Sequence, residues 1–218
     1  MIKNKSNKRL ALIGAGTFAE QIISYVNMSD TYDVVGLFDD NKQVGTTFSS
    51  LPILGKLSDV VTKYREGLYD YVFISIGYMC FDVRERVYNE LKHKVPMANI
   101  ISPLAVVREG AVLGEGILIT DNAYISSTAV LEDNVSITLR SIVNHGCYVK
   151  KHSFLSTNVS LAGNVTIGEK CFIGIGCIIS DGVSICDNVW LSPGTIVMKN
   201  IKKIGQYISP ALKIINIG

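Results

Sequence analysis

From Ile101 onward an aliphatic residue returns at every sixth position. Cut into sixes, the chain reads ISPLAV, VREGAV, LGEGIL, ITDNAY and so on to VMKNIK, seventeen blocks that reach Lys202 without an insertion. The first residue of every block is Ile, Leu or Val, and the fifth is always small or branched: Ala, Val, Ile, Ser, Cys or Thr. A period of six fits neither a heptad nor a hairpin meander. It predicts a solenoid in which each block forms one flat face and three blocks close a triangular coil of about eighteen residues. One coil cannot bury its own apolar side, so the coils must stack, each aliphatic first residue on the one a coil later. An antiparallel sandwich would space its turns irregularly, which excludes it.

The first hundred residues obey a different rule. Arg9–Ile13 reads as a short apolar strand, followed by Gly14-Ala15-Gly16-Thr17-Phe18-Ala19 and a helix to about Asn27. Tyr32–Phe38 reads as a second strand ending in Asp39-Asp40-Asn41, Leu57–Arg65 as a helix, and Tyr71–Ile76 as a third strand ending at Gly77. Cys80–Lys92 reads as a helix with Val83, Val87 and Leu91 on one stripe. Alternating strands and helices predict a small parallel sheet with right-handed crossovers. The expected fold is therefore a Rossmann-like α/β half-sheet over residues 1–97, then an all-β parallel β-helix over residues 98–218.

Gly14–Ala19 is a G-x-G-x-x-A match between a strand and a helix, a place where backbone approaches phosphate and a helix N-terminus favours its charge. Asp39 lies where a ribose-binding acid would end the second strand. A full dinucleotide fold needs two such halves, and only one fits here, so a mononucleotide suits the segment better than NAD. A nicotinamide-dependent oxidoreductase would also leave the whole repeat unexplained.

Composition narrows the field. Of 218 residues, 48% are hydrophobic and only 18% charged, so disorder is excluded. Lys+Arg is 21 against 19 Asp+Glu, a net charge of +2, which makes no electrostatic case for nucleic acid or an anionic membrane. There is no run of eighteen apolar residues and the start lacks a secretory pattern, so a cytoplasmic protein without a membrane span is expected. Five cysteines, an odd number without a CxxC pair, read as reduced thiols with no metal site. Cys147, Cys171 and Cys177 share the fifth block position and read as small core residues.

Blocks such as IGEKCF and IGIGCI resemble the hexapeptide repeat of left-handed β-helix acyltransferases. With the half-sheet in front, and with GAGTFAEQI, GLFDDN, SIGYMCFDVRERV, VNHGC, LAGNVTIG and the terminal ISPALKI in place, the chain resembles one family among them. That family holds the sialic-acid O-acetyltransferases and the N-acetyltransferases of UDP-4-amino-sugars, the bacillosamine-pathway enzyme included. The resemblance implies acetyl-CoA as co-substrate, no metal, and a homotrimer whose active sites lie between subunits. It implies an acceptor of the UDP- or dTDP-4-amino-4,6-dideoxy sugar type, held by the small domain. Gly14, Gly16, Thr17 and Phe18 would then line the phosphates or sugar, Asp39 and Asp40 the base or ribose, with Gly77 and Tyr78 closing the pocket.

Acetyl transfer from a thioester needs a base for the acceptor, polarisation of the carbonyl and close positioning. Three histidines are available. His93 reads as solvated beyond a helix, and His152, beside Lys150 and Lys151, as an exposed charged corner. His145 in VNHGCY points outward, and the resemblance makes it the catalytic base. Gly146 follows it where the family commonly has an acid, so Asn144 or an acid from a neighbouring subunit is the expected substitute. Gly163 stands one coil after His145, where its amide would serve as an oxyanion donor. Phe154 occupies the place of an acetyl-CoA-contacting histidine, and Ile175, Pro193 and Gly194 are expected in the same register along the pantetheine path. Lys199, Lys202, Lys203 and Lys213 read as solvated before they read as phosphate ligands. The leading function is thus a direct sugar N-acetyltransferase of glycan biosynthesis. The rivals are a sialic-acid-type O-acetyltransferase and a non-catalytic nucleotide-sugar-binding scaffold.

Overall fold

The computed structural model describes residues 7–208, so Lys213 and the ISPALKI segment from Ser209 lie outside the described residues. Residues from Ile100 wind into a β-helix whose coils form three parallel sheets, here faces A, B and C. Face A has seven strands, from Ile100–Ile101 to Gly205–Tyr207. Face B has six, from Val106–Val107 to Ile196–Val197, and face C five, from Val112–Leu113 to Ser184–Ile185. Along face A, Ser136 pairs with Phe154, Phe154 with Phe172 and Phe172 with Trp190, so each residue sits on the one eighteen positions away. The coil is the left-handed hexapeptide type.

Each block supplies one short strand and one corner. Its sixth residue faces out, while the first residue of the next block faces in, joined in the core by the fifth. Ile117, Ile119, Ala123, Ile125 and their successors at both positions form one continuous buried column. The fourth residue turns the corner in the left-handed region: Asn122, Asn134, Asn158 and Asn164 have φ between 56° and 57°, and Gly146 has 67°. Asparagine and glycine tolerate that conformation best, which explains their recurrence there. Buried polar side chains at the fifth position are satisfied by the turn fifteen residues on. Ser141 donates to the Ser156 carbonyl at 2.7 Å, Ser153 to Gly168 at 2.6 Å and Cys147 to Ala162 at 3.0 Å. Cys147, Cys171 and Cys177 are core residues as expected, and burial pushes the Cys171 thiol up to about 12.

The half-sheet has β1 (Lys8–Ile13), β2 (Tyr32–Phe38), β3 (Thr47–Phe48), β4 (Leu51–Gly55) and β5 (Tyr71–Ile74) in the order β3-β4-β2-β1-β5, parallel but for β3. The β3–β4 hairpin was not legible in the pattern, because two-residue strands carry no periodicity. The expected helix over Leu57–Arg65 splits into a tight turn, Leu57–Asp59, and α2 (Val60–Arg65). α1 spans Thr17–Asn27 and α3 Phe81–Leu91. The expected stripe on α3 is corrected: Val83 is partly exposed, and Arg84 is buried with Val87, Tyr88 and Leu91. Among the described residues no helix is long and apolar enough to cross a membrane.

The two parts share a core. Ala19, Ile22 and Val26 of α1 pack with Ile100 and Leu118 of face A. The crossing segment adds to β5, with the Ala98 amide donating to the Val72 carbonyl at 2.8 Å. Leu155, fully buried between Ile137 and Ile173, is a central rung of the column. Leu155→Ala is expected to cost about 2–5 kcal/mol of stability in chemical denaturation, because stacked coils cannot collapse into the void.

Candidate active site

A cleft of about 1040 Å³ opens between the half-sheet and the β-helix. All eight N-terminal residues singled out from the sequence line it: Gly14, Gly16, Thr17, Phe18, Asp39, Asp40, Gly77 and Tyr78. The opposite wall comes from face A and the A/B corner, through Thr120, Thr138, Leu139, Phe154, Ser156 and Thr157. The glycines differ in what the chain itself demands of them. Gly14 has φ +103°, and a Cβ there would lie 2.9 Å from the Ile76 side chain, so glycine is required by the fold. Gly16 has ordinary extended geometry (φ −112°), and a Cβ there would meet nothing within 4 Å. The room at Gly16, at the N-terminus of α1, therefore belongs to the cleft and not to the packing, which is what approach by a phosphate requires.

Asp39 and Asp40 also hold the loops that carry them. Asp39 accepts hydrogen bonds from the Ala15 amide at 2.7 Å and the Asn41 amide at 2.8 Å, tying the glycine loop to the end of β2. Asp40 accepts from the Leu57 amide at 2.8 Å, and its carbonyl accepts from Lys56 Nζ. Tyr78 stacks on Phe172 with ring centroids 4.6 Å apart and sits 5.0 Å from the Phe154 ring, while Phe172 stacks on Trp190 at 4.1 Å. This aromatic ladder on face A fixes the cleft's far end.

Behind Tyr78 the two parts are clamped by a residue the sequence reading missed. Arg84 is fully buried and donates to the Ile76 carbonyl at 2.6 Å and to Asn134 Oδ1 at 2.8 Å. Burial lowers its pKa to about 10. Only its place amid an apolar stripe, Val83 to Val87, marked it. His152 is corrected: it turns its corner with φ +63° as a fourth-position residue, yet is only 3% exposed. α3 covers it, with the Tyr88 ring edge-on at 5.3 Å and its Nδ1 2.9 Å from Asn134 Nδ2. His93 lies exposed beyond α3, as expected.

His145 is exposed at the corner between faces B and C. Gly163 is stacked on it, and a Cβ there would lie 2.7 Å from His145 Nε2. The Gly163 amide donates to no atom among the described residues, while its carbonyl accepts from the Gly182 amide at 2.9 Å. Asn144 is already used, donating to the Leu161 carbonyl at 2.8 Å. The expectation of one common register is corrected for three residues. Ile175, Pro193 and Gly194 stand at the A/B corner, across the whole of face B from His145, because their separations from it are not multiples of eighteen. Phe154 is likewise on face A, in the cleft wall, so within one chain His145 and Gly163 come together and the other three do not join them.

An α/β half-sheet bearing a glycine-loop cleft, mounted on a hexapeptide β-helix, defines the architecture as a hexapeptide-repeat β-helix with an added N-terminal domain. Residues 9–91 match the family model of the PglD N-terminal domain, and residues 164–199 match that of the hexapeptide repeat of succinyl-transferase. The first match covers the N-terminal α/β domain and the second a stretch of the β-helix. A comparison with curated proteins finds no match. Among solved structures, the acetyltransferase domain of PglB from Neisseria gonorrhoeae FA1090 superimposes with a TM-score of 0.84 at 22% identity, over 93% of this chain and 97% of that one. PerB from Caulobacter crescentus, solved in complex with CoA and GDP-perosamine, has a TM-score of 0.84 at 23% identity, over 92% and 93%. WeeI from Acinetobacter baumannii AYE gives 0.73 at 22%, over 88% and 92%. At these identities the likeness is one of fold.

The buried His152 has an acid-stability consequence. Burial lowers its pKa from 6.5 to about 4, so the unfolded chain binds the proton more tightly. Stability contributed by the neutral ring is whole above pH 6.5 and is lost as the pH falls towards 4, on the order of 3 kcal/mol by linkage. His152→Asn, which keeps a residue suited to the left-handed corner, is expected to flatten the decline in denaturation midpoint between pH 6.5 and 4.

Proposed function

We propose that the protein is an acetyl-CoA-dependent N-acetyltransferase acting on the amino group of a nucleotide-linked amino sugar, with each site built between two copies of the chain. One observation carries the reading. The cleft opens along face A and the A/B corner, His145 stands at the B/C corner, and the face between them is mostly aliphatic on its outside, with Tyr124 and Ser160 among its outward positions. Val106, Ile142, Ile178 and Ile196 face outward from face B with 38–61% of their surface exposed, and Leu104 and Ile175 extend the patch at the A/B corner. An exposed row of this extent marks an interaction surface.

If three copies turn face B toward a common axis, the ring closes and buries that row. The B/C corner of one copy then meets the A/B corner of the next. His145 and Gly163 of one copy thereby face the cleft of its neighbour. Ile175, Pro193 and Gly194 of that neighbour line the groove between the two, which suits an elongated pantetheine chain. Phe154 stands in the wall where the sugar and thioester would meet. The single-chain separation of the site residues is what a shared site requires.

In that setting the cleft holds the nucleotide with its phosphates at the Gly16 end of α1. The sugar amine attacks the thioester carbonyl carbon, and His145 removes the amine's proton as the C–N bond forms. The free Gly163 amide donates to the oxygen that gains negative charge, a contribution of about 3 kcal/mol for one such donor. The C–S bond then breaks and the imidazolium returns its proton to the departing thiolate. Acetyl passes directly between substrates, with no acyl-enzyme. CoA relatives and nucleotide-sugar relatives of the same fold, and five free thiols suited to a reducing cytoplasm, support the reading.

His145→Ala is expected to lower turnover about 10²–10⁴-fold with the fold retained. The assay offers acetyl-CoA with UDP-, dTDP- and GDP-linked amino sugars beside free and CMP-linked sialic acids; wild-type turnover by the variant, or acetylation of hydroxyl acceptors alone, overturns the assignment. Ile178→Glu with Ile196→Glu is expected to give monomers in analytical ultracentrifugation. Those monomers should lose turnover while keeping nucleotide binding.

A further inference from the structure

Gly146 leaves the proposed base without an acid beside it in the chain. Gly146 has φ +67°, and a Cβ at that position would collide with the Asn164 side chain. Its amide donates to Thr128 Oγ1 at 2.9 Å, and the Asn164 amide holds the His145 carbonyl at 2.8 Å, so the corner cannot easily shift. With glycine at 146, an acid that faces the ring has to come from another coil.

The B/C edge carries one residue per coil in a single column: Glu109, Ser127, His145, Gly163, Asp181 and Lys199. Gly163 is the gap in that column. A Cβ built there would lie 2.7 Å from His145 Nε2 on one side and 2.6 Å from Asp181 Oδ1 on the other. The ring and the carboxylate thus lean into the same hole from opposite coils, without bonding directly. Among the described residues the Asp181 carboxylate accepts no hydrogen bond and forms no ion pair. The remaining charges of the column lie further away, Glu109 beyond Ser127 and Lys199 one coil above Asp181.

We infer that Asp181 is the positioning residue for His145: it supplies, from two coils on, the negative charge that stabilises the imidazolium and fixes the ring over Gly163. The inference rests on the proposed role of His145 as base. Proton transfer itself is unchanged: the amine's proton goes to the ring and not to the carboxylate. Glycine at 163 acquires a second reason, since any side chain would part the pair as well as cover the amide.

The test uses ¹³C-histidine-labelled protein, in which three histidine signals are resolved and His145 is assigned by its loss in His145→Gln. Asp181→Asn is expected to move the His145 ¹³C signal's response to pH downward, the direction that loss of a facing carboxylate dictates. The acid limb of the kcat/KM profile should move to lower pH by the same amount, and Asp181→Glu should restore both. An unchanged His145 titration in Asp181→Asn overturns the inference, even where His145→Ala has lost turnover. Wild-type turnover by His145→Ala instead overturns the functional reading, so the two failures are distinguishable. Gly163→Ala provides a second measurement in the intact pair, with the same downward shift expected and an unshifted His145 counting against the inference.

Discussion

The parallel ladder that stacks residue i on residue i+18 is the constraint on which everything else depends. Once the chain adopts it, each side chain has a fixed neighbour above and below, and the corners become three straight edges. The inward positions must then be filled with aliphatic or small residues, because the prism is only about one side chain wide. Its polar exceptions Ser141, Ser153 and Cys147 are tolerated since each reaches the turn carbonyl fifteen residues later, while Thr195 donates to the Ser192 carbonyl of its own turn. The same ladder turns sequence spacing into spatial proximity with little freedom, which is why Gly163 must lie against His145.

The half-sheet has no such periodic device, and its placement rests on a joint. α1 contributes apolar packing through Ile22 against Leu118, and α3 contributes a buried guanidinium. A buried charge of this kind is weak evidence for stability but strong for geometry, because Arg84 bonds only if the Ile76 carbonyl and Asn134 are both in place. Ile76 precedes Gly77 and Tyr78, so the clamp sets the cleft's upper lip as well as the angle between the parts. The ladder of Phe154, Phe172 and Trp190 then receives Tyr78 from above. Fold, joint and cleft are in this way one mechanical unit.

The arrangement divides chemistry between edges of the prism. The cleft sits on face A, where a second domain covers the helix. The imidazole sits on the B/C edge, where nothing of the same chain covers it. Face B lies between them, and in the proposed assembly its closure against other copies would convert a separation within one chain into a juxtaposition between two.

Much of this was written in local pattern. The period of six decides the β-helix because it repeats seventeen times and each repetition reinforces the last. The glycine loop announced the cleft because Gly14 and Gly16 follow an apolar strand directly. His145 and Gly163 could be paired on paper for the same reason: eighteen residues are one coil. What could not be read were the facts that depend on a second element arriving from elsewhere. His152 occupies an outward corner in the pattern, and only α3 folding over it makes it buried. Arg84 looked like an interruption of a stripe until Asn134, fifty residues later, appeared opposite it. Ile175, Pro193 and Gly194 fell on another edge because a coil is divided into three corners, and conserving distance along the helix does not conserve the corner. Asp181 lies thirty-six residues from His145, in register, yet only the tertiary structure shows both side chains leaning into the space above Gly163. The sequence by itself determined the coil, since that is a matter of repeated short-range burial. Which outward residues meet, and which are covered, was decided by long-range packing between elements that carry no trace of one another in their local sequence.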